Sequence, residues 1–366
     1  MEHKLSQVKR LIVRYIRDNQ LPHGAKMPAQ TEMRQLFNTG VATLRLALDE
    51  LRSQGMLAIR DKVGVFVDNP QSSGINSRRV GLLTSDVRRN ASGALQNCHL
   101  QHALAQLDCR VTWFPQKSGS SLKLYNDFED LPELREALQA GELDGVVSTI
   151  ALADSVLQLC RAWDIPVLLE THRMHGDYMA ITDYDYLITE SVRVLKEAGF
   201  QRPELLFGSN APEISELFLQ RCREAHLEAR KESVHTRWFR IDDMADNIAW
   251  AQEVFENWLA RPSAARPDCL LIPDDILSYR LHLRLESTDW HPEILSLNNP
   301  DLNLPPLHTQ MGYWVLDLQA KAHAVANYFL RILRKEPNVP HKLLIRPVFH
   351  SVQCFSEIAQ LQRSNQ

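Results

Sequence analysis

From Val80 to Asn299 the chain repeats one pattern, a short and nearly continuous apolar run followed by a stretch with helical spacing. The runs VGLLTS, CRVTWF, DGVVST and IPVLLE form a first series, with helices expected over 91–107, 128–140 and 153–162. A second series has helices expected over 184–198, 211–230, 245–260 and 274–286, with the runs ELLFGS, HTRWFR, DCLLIP and EILSLN between and after them. Strands covered on both faces are apolar throughout, and joining them in parallel takes a crossover helix each time. The alternation therefore predicts parallel sheets, and two series in succession predict two α/β lobes. The chain is expected to cross between them near Asp183, and again near 310 and 340.

Residues 1–67 follow a different rule. Leu5, Val8, Leu11, Ile12, Tyr15 and Ile16 have the spacing of one buried helix face. Pro22 and Gly24 stop that helix. A short second helix is expected over 30–37, burying Met33, Leu36 and Phe37, and Asn38-Thr39-Gly40 makes a turn. A third helix over 41–54 turns Leu44, Ala47, Leu48 and Leu51 inward and ends at Gly55. Met56–Arg60 and Val63–Val67 then read as a hairpin. Three helices and a hairpin make a winged helix-turn-helix. Residues 68–79 (DNPQSSGINSRR) lack apolar periodicity and read as a linker, which leaves 80–366 for the two-lobed domain.

Charge divides along the same line. Residues 1–67 hold eleven bases against six acids, a balance of +5, leaving −9 for the rest of a chain whose net charge is −4. A basic head on an acidic body suits a polyanion partner for the head alone. No apolar run approaches the roughly 20 residues of a membrane span, and MEHKLSQVKRLIVRYIRDNQ is charged throughout, unlike a secretory signal. A cytoplasmic protein without a membrane partner is expected. The six cysteines are scattered and read as reduced thiols. Cys98, His99, His102 and Cys109 cluster locally, but in a chain with 14 histidines chance explains them better than a metal site. Neither a phosphate-binding glycine loop nor a nucleophile–base pairing is present, so no cofactor and no catalytic residue is expected, and the chain does not read as an enzyme.

Residues 4–67 resemble the winged-helix head of the GntR family. The stretches that carry this are LPHGAKMPAQTEM, TLRLALDELRSQGML and IRDKVGVFV. Residues 80–352 resemble, more loosely, the LacI/GalR-type sensor, which is related to periplasmic sugar-binding proteins. Here the matching stretches are RRVGLLTSD, DGVVSTIALADSVLQLCRAWDIPVLLE, ITDYDYLITESVRVLKEAGF, PDCLLIPDDILS and ILSLNN. The resemblance implies a transcription regulator, expected to be a repressor, in which a small polar, sugar-like effector between two lobes controls affinity for a double-stranded DNA operator. A homodimer is implied, because two-fold proteins read palindromic sites. The head departs from its family at named places. Gly40-Val41-Ala42-Thr43-Leu44-Arg45 stands where Ser-Arg-x-Thr-Val-Arg is usual, Thr31 replaces an arginine, and Lys62 replaces the first glycine of the wing. The operator is therefore expected to differ from the family's usual one. Two other readings remain open: a solute-binding protein with lost DNA specificity, and an enzyme acting on a sugar or nucleotide.

In the head, Arg45 is expected to reach a base edge or a phosphate, and Thr43 either a phosphate or solvent. Arg34, Arg60 and Lys62 are expected at phosphates, which position a protein without specifying sequence. In the sensor, open α/β sheets bind ligands at the carboxyl ends of their strands. That rule selects Asp86, Arg88, Thr149, His172, Arg173, Asp183, Asp275 and Asn298 (or Asn299), with Trp113 or Phe114 as a stacking surface. Arg221 is added by the resemblance. Asp183, Asp274 and Asp275 are equally explained as helix caps.

Overall fold

The computed structural model describes residues 2–68, 77–85, 91–116, 125–171, 176–208, 212–236, 244–302 and 311–351. The chain forms two compact units. The first comprises Met1–Asp86, Asn97–Met179 and His323–His341, and the second Val87–Gln96, Ala180–Ala322 and Lys342–Gln366.

The first unit begins with three helices, α1 (Glu2–Asp18), α2 (Gln30–Leu36) and α3 (Val41–Ser53). The antiparallel hairpin β1 (Leu57–Arg60) and β2 (Gly64–Val67) follows, with Leu57 opposite Val67 and Arg60 opposite Gly64. One apolar core unites them, in which Ile12, Met33, Leu44, Ala47, Leu48, Leu51 and Leu57 are buried. Leu36 departs from the expectation. It is the last residue of α2, and its side chain lies outside this core, exposed.

The remaining elements alternate as the apolar runs predict: β3 (Arg78–Thr84), α4 (Ala91–Gln106), β4 (Cys109–Pro115), α5 (Pro132–Gln139), β5 (Gly145–Ser148), α6 (Asp154–Ala162) and β6 (Val167–Leu169). Arg78 and Arg79, which the sequence assigns to a linker, open β3. Then come β7 (Tyr178–Thr182), α7 (Tyr184–Glu197), β8 (Pro203–Phe207), α8 (Pro212–Glu224), β9 (Val234–Thr236), α9 (Met244–Leu259), β10 (Cys269–Ile272), α10 (Asp275–Leu285) and β11 (Glu293–Asn298). The chain closes with β12 (Gly312–Val315), α11 (Leu318–Leu333), β13 (Lys342–Ile345) and β14 (Val348–Ser351). Two six-stranded sheets result, in the orders β13-β7-β6-β5-β3-β4 and β14-β12-β11-β10-β8-β9. Pairing is parallel except at β12–β14.

Helix α8 is shorter than its apolar pattern suggests. His226 adopts a left-handed φ of 56°, and the Leu227 N–H returns to the Cys222 carbonyl, which closes the helix at Glu224. Phe114 is a core residue against Gly81, and half-buried Trp113 donates its indole N–H to Gln101 at 2.6 Å.

Within the first unit, α1 packs on the sheet-bearing lobe through a buried ionic contact. Arg17 donates to the Asp144 carboxylate at 3.0 Å, and the Arg79 backbone N–H reaches the same oxygen at 2.8 Å. Farther out, Arg14 and Lys335 share Asp164. Gly141 meets α1 so closely that a Cβ there would lie 2.9 Å from the Ser6 carbonyl oxygen.

Candidate nucleic-acid interface and ligand-binding edges

The inward face of α3 is used up by the core, so the residues between Leu44, Ala47, Leu48 and Leu51 project outward. Arg45 is exposed and Thr43 half-buried on that helix, Arg34 is exposed on α2, and Arg60 and Lys62 are exposed on the wing. Phe66 lies under the Arg60 guanidinium, 4.7 Å from ring centroid to carbon, and holds it at the wing. Lys62 occupies the hairpin tip with φ 61°, a left-handed geometry that accounts for glycine being the usual residue in the family's wing.

Among the described residues these cations lack acid partners, as do Lys4, Arg10 and Lys26, whereas four others in the head are paired. Lys9 pairs with Glu50, Arg14 with Asp18, Arg17 with Asp144 and Arg52 with Asp49. Among the described residues, Arg34, Arg45, Arg60 and Lys62 form no ion pair. Asp18, Asp49 and Glu50 are taken up in ion pairs, and although Glu32 and Asp61 lie on α2 and the wing, Arg34, Arg45, Arg60 and Lys62 outnumber them and leave that side net positive.

In the second unit, the carboxyl ends of β8, β10 and β11 lie side by side, since Leu205 pairs with Leu271 and Ile272 with Ser296. Two residues beyond that register, Asn298 ends β11 level with Asp274. Asp274 caps α10 by accepting the Leu277 N–H at 2.8 Å, and Asp275 accepts the Ile276 N–H at 2.8 Å. Half-buried Tyr184 packs edge-on against Phe207, with centroids 5.0 Å apart. Burial raises the Tyr184 hydroxyl above its ordinary range, and the nearby charge of Asp274 adds to that. Burial also pushes the Asp275 carboxyl up to about 7, with the neighbouring Asp274 charge contributing. No ion pair to either aspartate exists among the described residues. This edge combines two carboxylates, an amide and an aromatic pair.

Asp183 and Arg221 do other work. Asp183 caps α7 by accepting the Tyr186 N–H at 3.1 Å, and its second oxygen takes the Arg346 guanidinium at 3.0 Å. Arg221 sits in the last turn of α8, pinned between Thr189 and Glu224. That end of α8 is remote from the carboxyl end of β8, so Arg221 does not join the edge. The resemblance placed it there without fixing its register along the helix.

In the first unit, β3 ends at Thr84 and β5 at Ser148, followed by Thr149. Thr149 donates its hydroxyl to the Leu83 carbonyl at 3.1 Å, and among the described residues the buried Thr84 hydroxyl has no hydrogen-bond partner. Thr84, Tyr184 and Phe207 escaped the sequence reading, although all three end a strand or directly follow one, which is the signal that selects Asp275. Asp86, Arg88, His172 and Arg173 lie outside the described residues. His102 is engaged by Gln106 at 2.9 Å, and among the described residues no three His, Cys, Asp or Glu side chains are grouped to hold a metal. No helix among them is long and apolar enough to cross a membrane.

Comparison with known proteins agrees with this division. Residues 4–67 match the model of the bacterial regulatory proteins, gntR family. The head is a GntR-type winged helix. The body has the fold of LacI-type regulators. CcpA, a transcription regulator of Lactococcus lactis, superposes with a TM-score of 0.59 at 14% identity, over 75% of this chain and 98% of that one. The transcriptional regulator CelR in complex with cellobiose gives 0.57 at 14% identity, over 86% and 90%. The lac repressor dimer bound to operator and the anti-inducer ONPF gives 0.56 at 14% identity, over 77% and 96%. No curated protein matches the chain. A GntR-type head joined to a body with the LacI-type fold is the construction of a transcription regulator.

Proposed function

We propose that the protein is a repressor that holds a double-stranded DNA operator as a homodimer and releases it when a small, polar, sugar-like ligand binds its sensor. The observation that carries the DNA half is the set of four exposed cations, Arg34, Arg45, Arg60 and Lys62, left without acid partners around α3 and the wing. Arg45, one turn into α3, is the base- or phosphate-contacting residue. Thr43 and the other three cations hold the backbone. The ligand half is supported by the carboxyl edge of the second sheet. There Asp275 and Asn298 accept and donate hydrogen bonds to hydroxyls, and the Tyr184–Phe207 pair offers an apolar surface to a sugar ring. In the first unit, Thr149 and the Thr84 hydroxyl are ligand-binding candidates at the carboxyl edge of that unit's own sheet. Asp183 contributes by fixing the start of α7.

The test is binding of purified protein to DNA from its own upstream region across a salt series. Tight, sequence-dependent binding that weakens steeply with salt is expected. Arg45→Ala lowers operator affinity about ten-fold or more, a loss of a bidentate or phosphate contact, while a sugar that shifts the melting temperature of the wild type still shifts that of the variant. Weak binding that is equal on any DNA would overturn the reading.

A further inference from the structure

The side of the head that carries the free cations also carries apolar side chains with nothing over them. Val41, the first residue of α3, is 57% exposed, Leu36 52%, Leu46 48% and Val63, beside the wing tip, 53%. Scattered apolar residues on a surface need no account. Four on the elements of one helix-turn-helix and its wing, interleaved with four unpaired cations, do. The first turn of this helix presents Val41, Ala42 and Thr43, which offer methyl groups and a single hydroxyl. None of them is a side chain able to make a two-pronged hydrogen bond to a base edge. Arg45 lies one turn on, at i+4 from Val41, and so shares its face.

We propose that Val41 is a specificity-determining residue that reads a thymine methyl group in the major groove. Each half-site then carries a T·A pair opposite Val41, within about two base pairs of the contact made by Arg45. This rests on the DNA-binding reading above. The N-terminal residues of a recognition helix are the ones that reach base edges, and the thymine 5-methyl is the apolar group displayed there by an unmodified base pair. Guanine and adenine edges at this position would bury polar atoms against the valine with no partner supplied, which costs binding. Duplex DNA is favoured over an apolar protein partner by the rim of Arg34, Arg45, Arg60 and Lys62, because a polyanion neutralises that rim while seating the valine.

The experiment selects binding sites for the full-length protein from a randomised duplex pool, then replaces single thymines in the selected site by deoxyuridine, which deletes the methyl alone. The expected result is one fixed thymine per half-site whose replacement weakens wild-type binding about four-fold, the worth of one buried methyl group. For Val41→Ala the same replacement costs less than about two-fold by the same area argument. Val41→Arg shifts the selected base at that position from thymine to guanine. A selected half-site with no methyl-sensitive position, or a methyl effect unchanged in Val41→Ala, overturns the proposal while leaving the regulator reading intact. Selection of no sequence at all overturns both. Should Val41→Arg turn a dimer into a monomer without changing the selected base, the patch is covered by a second copy of the chain and the proposal fails.

Discussion

Asp144 and Asp275 are both carboxylates shielded from water at a strand end, yet their surroundings are opposite. Asp144 stands at the root of β5, immediately before Gly145, and Asp275 lies beyond the tip of β10. Burial raises the pKa of both. At Asp144 the guanidinium groups of Arg79 and Arg17 and the Arg79 backbone N–H outweigh burial and hold the carboxyl below its usual range. At Asp275 the nearest charge is another carboxylate, and the pKa rises to about 7. Burial sets the cost of a charge, and the partner decides whether the fold itself offsets it. At the strand root the protein supplies the partner. At the tip it does not, and the unsatisfied charge is available to a molecule from outside.

The largest effect expected from this contrast comes from breaking the root. Asp144→Ala leaves Arg17 and Arg79 facing an empty site and lowers stability by about 3 kcal/mol, as urea unfolding would record. Replacing the Arg17 pair, Asp144→Leu with Arg17→Met, restores only part of that loss, because the Arg79 backbone N–H and guanidinium still lose their acceptor. An unchanged denaturation midpoint in Asp144→Ala would remove the root from the comparison.

Glu204 provides an intermediate case. Its buried carboxylate accepts from His235 at 2.7 Å, from the Trp258 indole at 2.5 Å and from Arg261. Burial works to raise its pKa, and these three hydrogen bonds bring it below the ordinary value. Glu204→Gln keeps an acceptor for the indole but loses the charge, so a loss of about 1–2 kcal/mol is expected in the same assay.

Asp275→Asn has the smallest effect and the opposite sign. A carboxyl whose pKa is raised on folding favours the protonated form, so its contribution to stability falls as pH climbs from about 4 to about 7 and is absent above. Asp275→Asn therefore raises the melting temperature of the ligand-free protein above pH 7 by about 2–4 °C, after allowing for water that still reaches the group. It also flattens the wild-type decline between about pH 4 and 7. Asp144 produces the mirror profile. Its depressed pKa stabilises the fold above about pH 4, and that support is lost as pH falls through the folded value, a loss that Asp144→Ala does not show. An Asp275→Asn variant whose melting temperature tracks the wild type's from about pH 4 to 7 would sink the account of Asp275.

The elements that the sequence foretold are those whose pattern is local. The Leu44, Ala47, Leu48, Leu51 spacing identifies α3, and continuous apolar runs identify β3, β5, β8, β10 and β11. Strands β7, β12, β13 and β14 went unread because each is four or five residues of mixed character. They are strands through distant pairing, Trp314 with Phe349 for example, which no short window encodes. The site divides in the same way. Asp275 and Asn298 follow from the strand-end rule, whereas the Asp183–Arg346 pair joins residues 163 apart and only the fold brings it into view. Arg221 came from the resemblance alone, and no residue pattern around it fixes its place along α8. Leu36 was assigned to the core on hydrophobicity alone, although it ends its helix.

Gly145 follows Asp144 directly, and a Cβ there would lie 2.6 Å from Leu333 and 2.8 Å from Phe329, both on α11. The first sheet is thus covered by a helix encoded almost two hundred residues after the strand it protects. During synthesis the basic head has all its core residues once Val67 has emerged, while the lobe beneath it lacks the α11 cover over Gly145 until Leu333 has followed. The growing chain passes through a long interval with a finished, cationic winged helix attached to an unfinished sensor. Over that interval a complete basic surface is exposed on a chain whose larger part cannot yet fold.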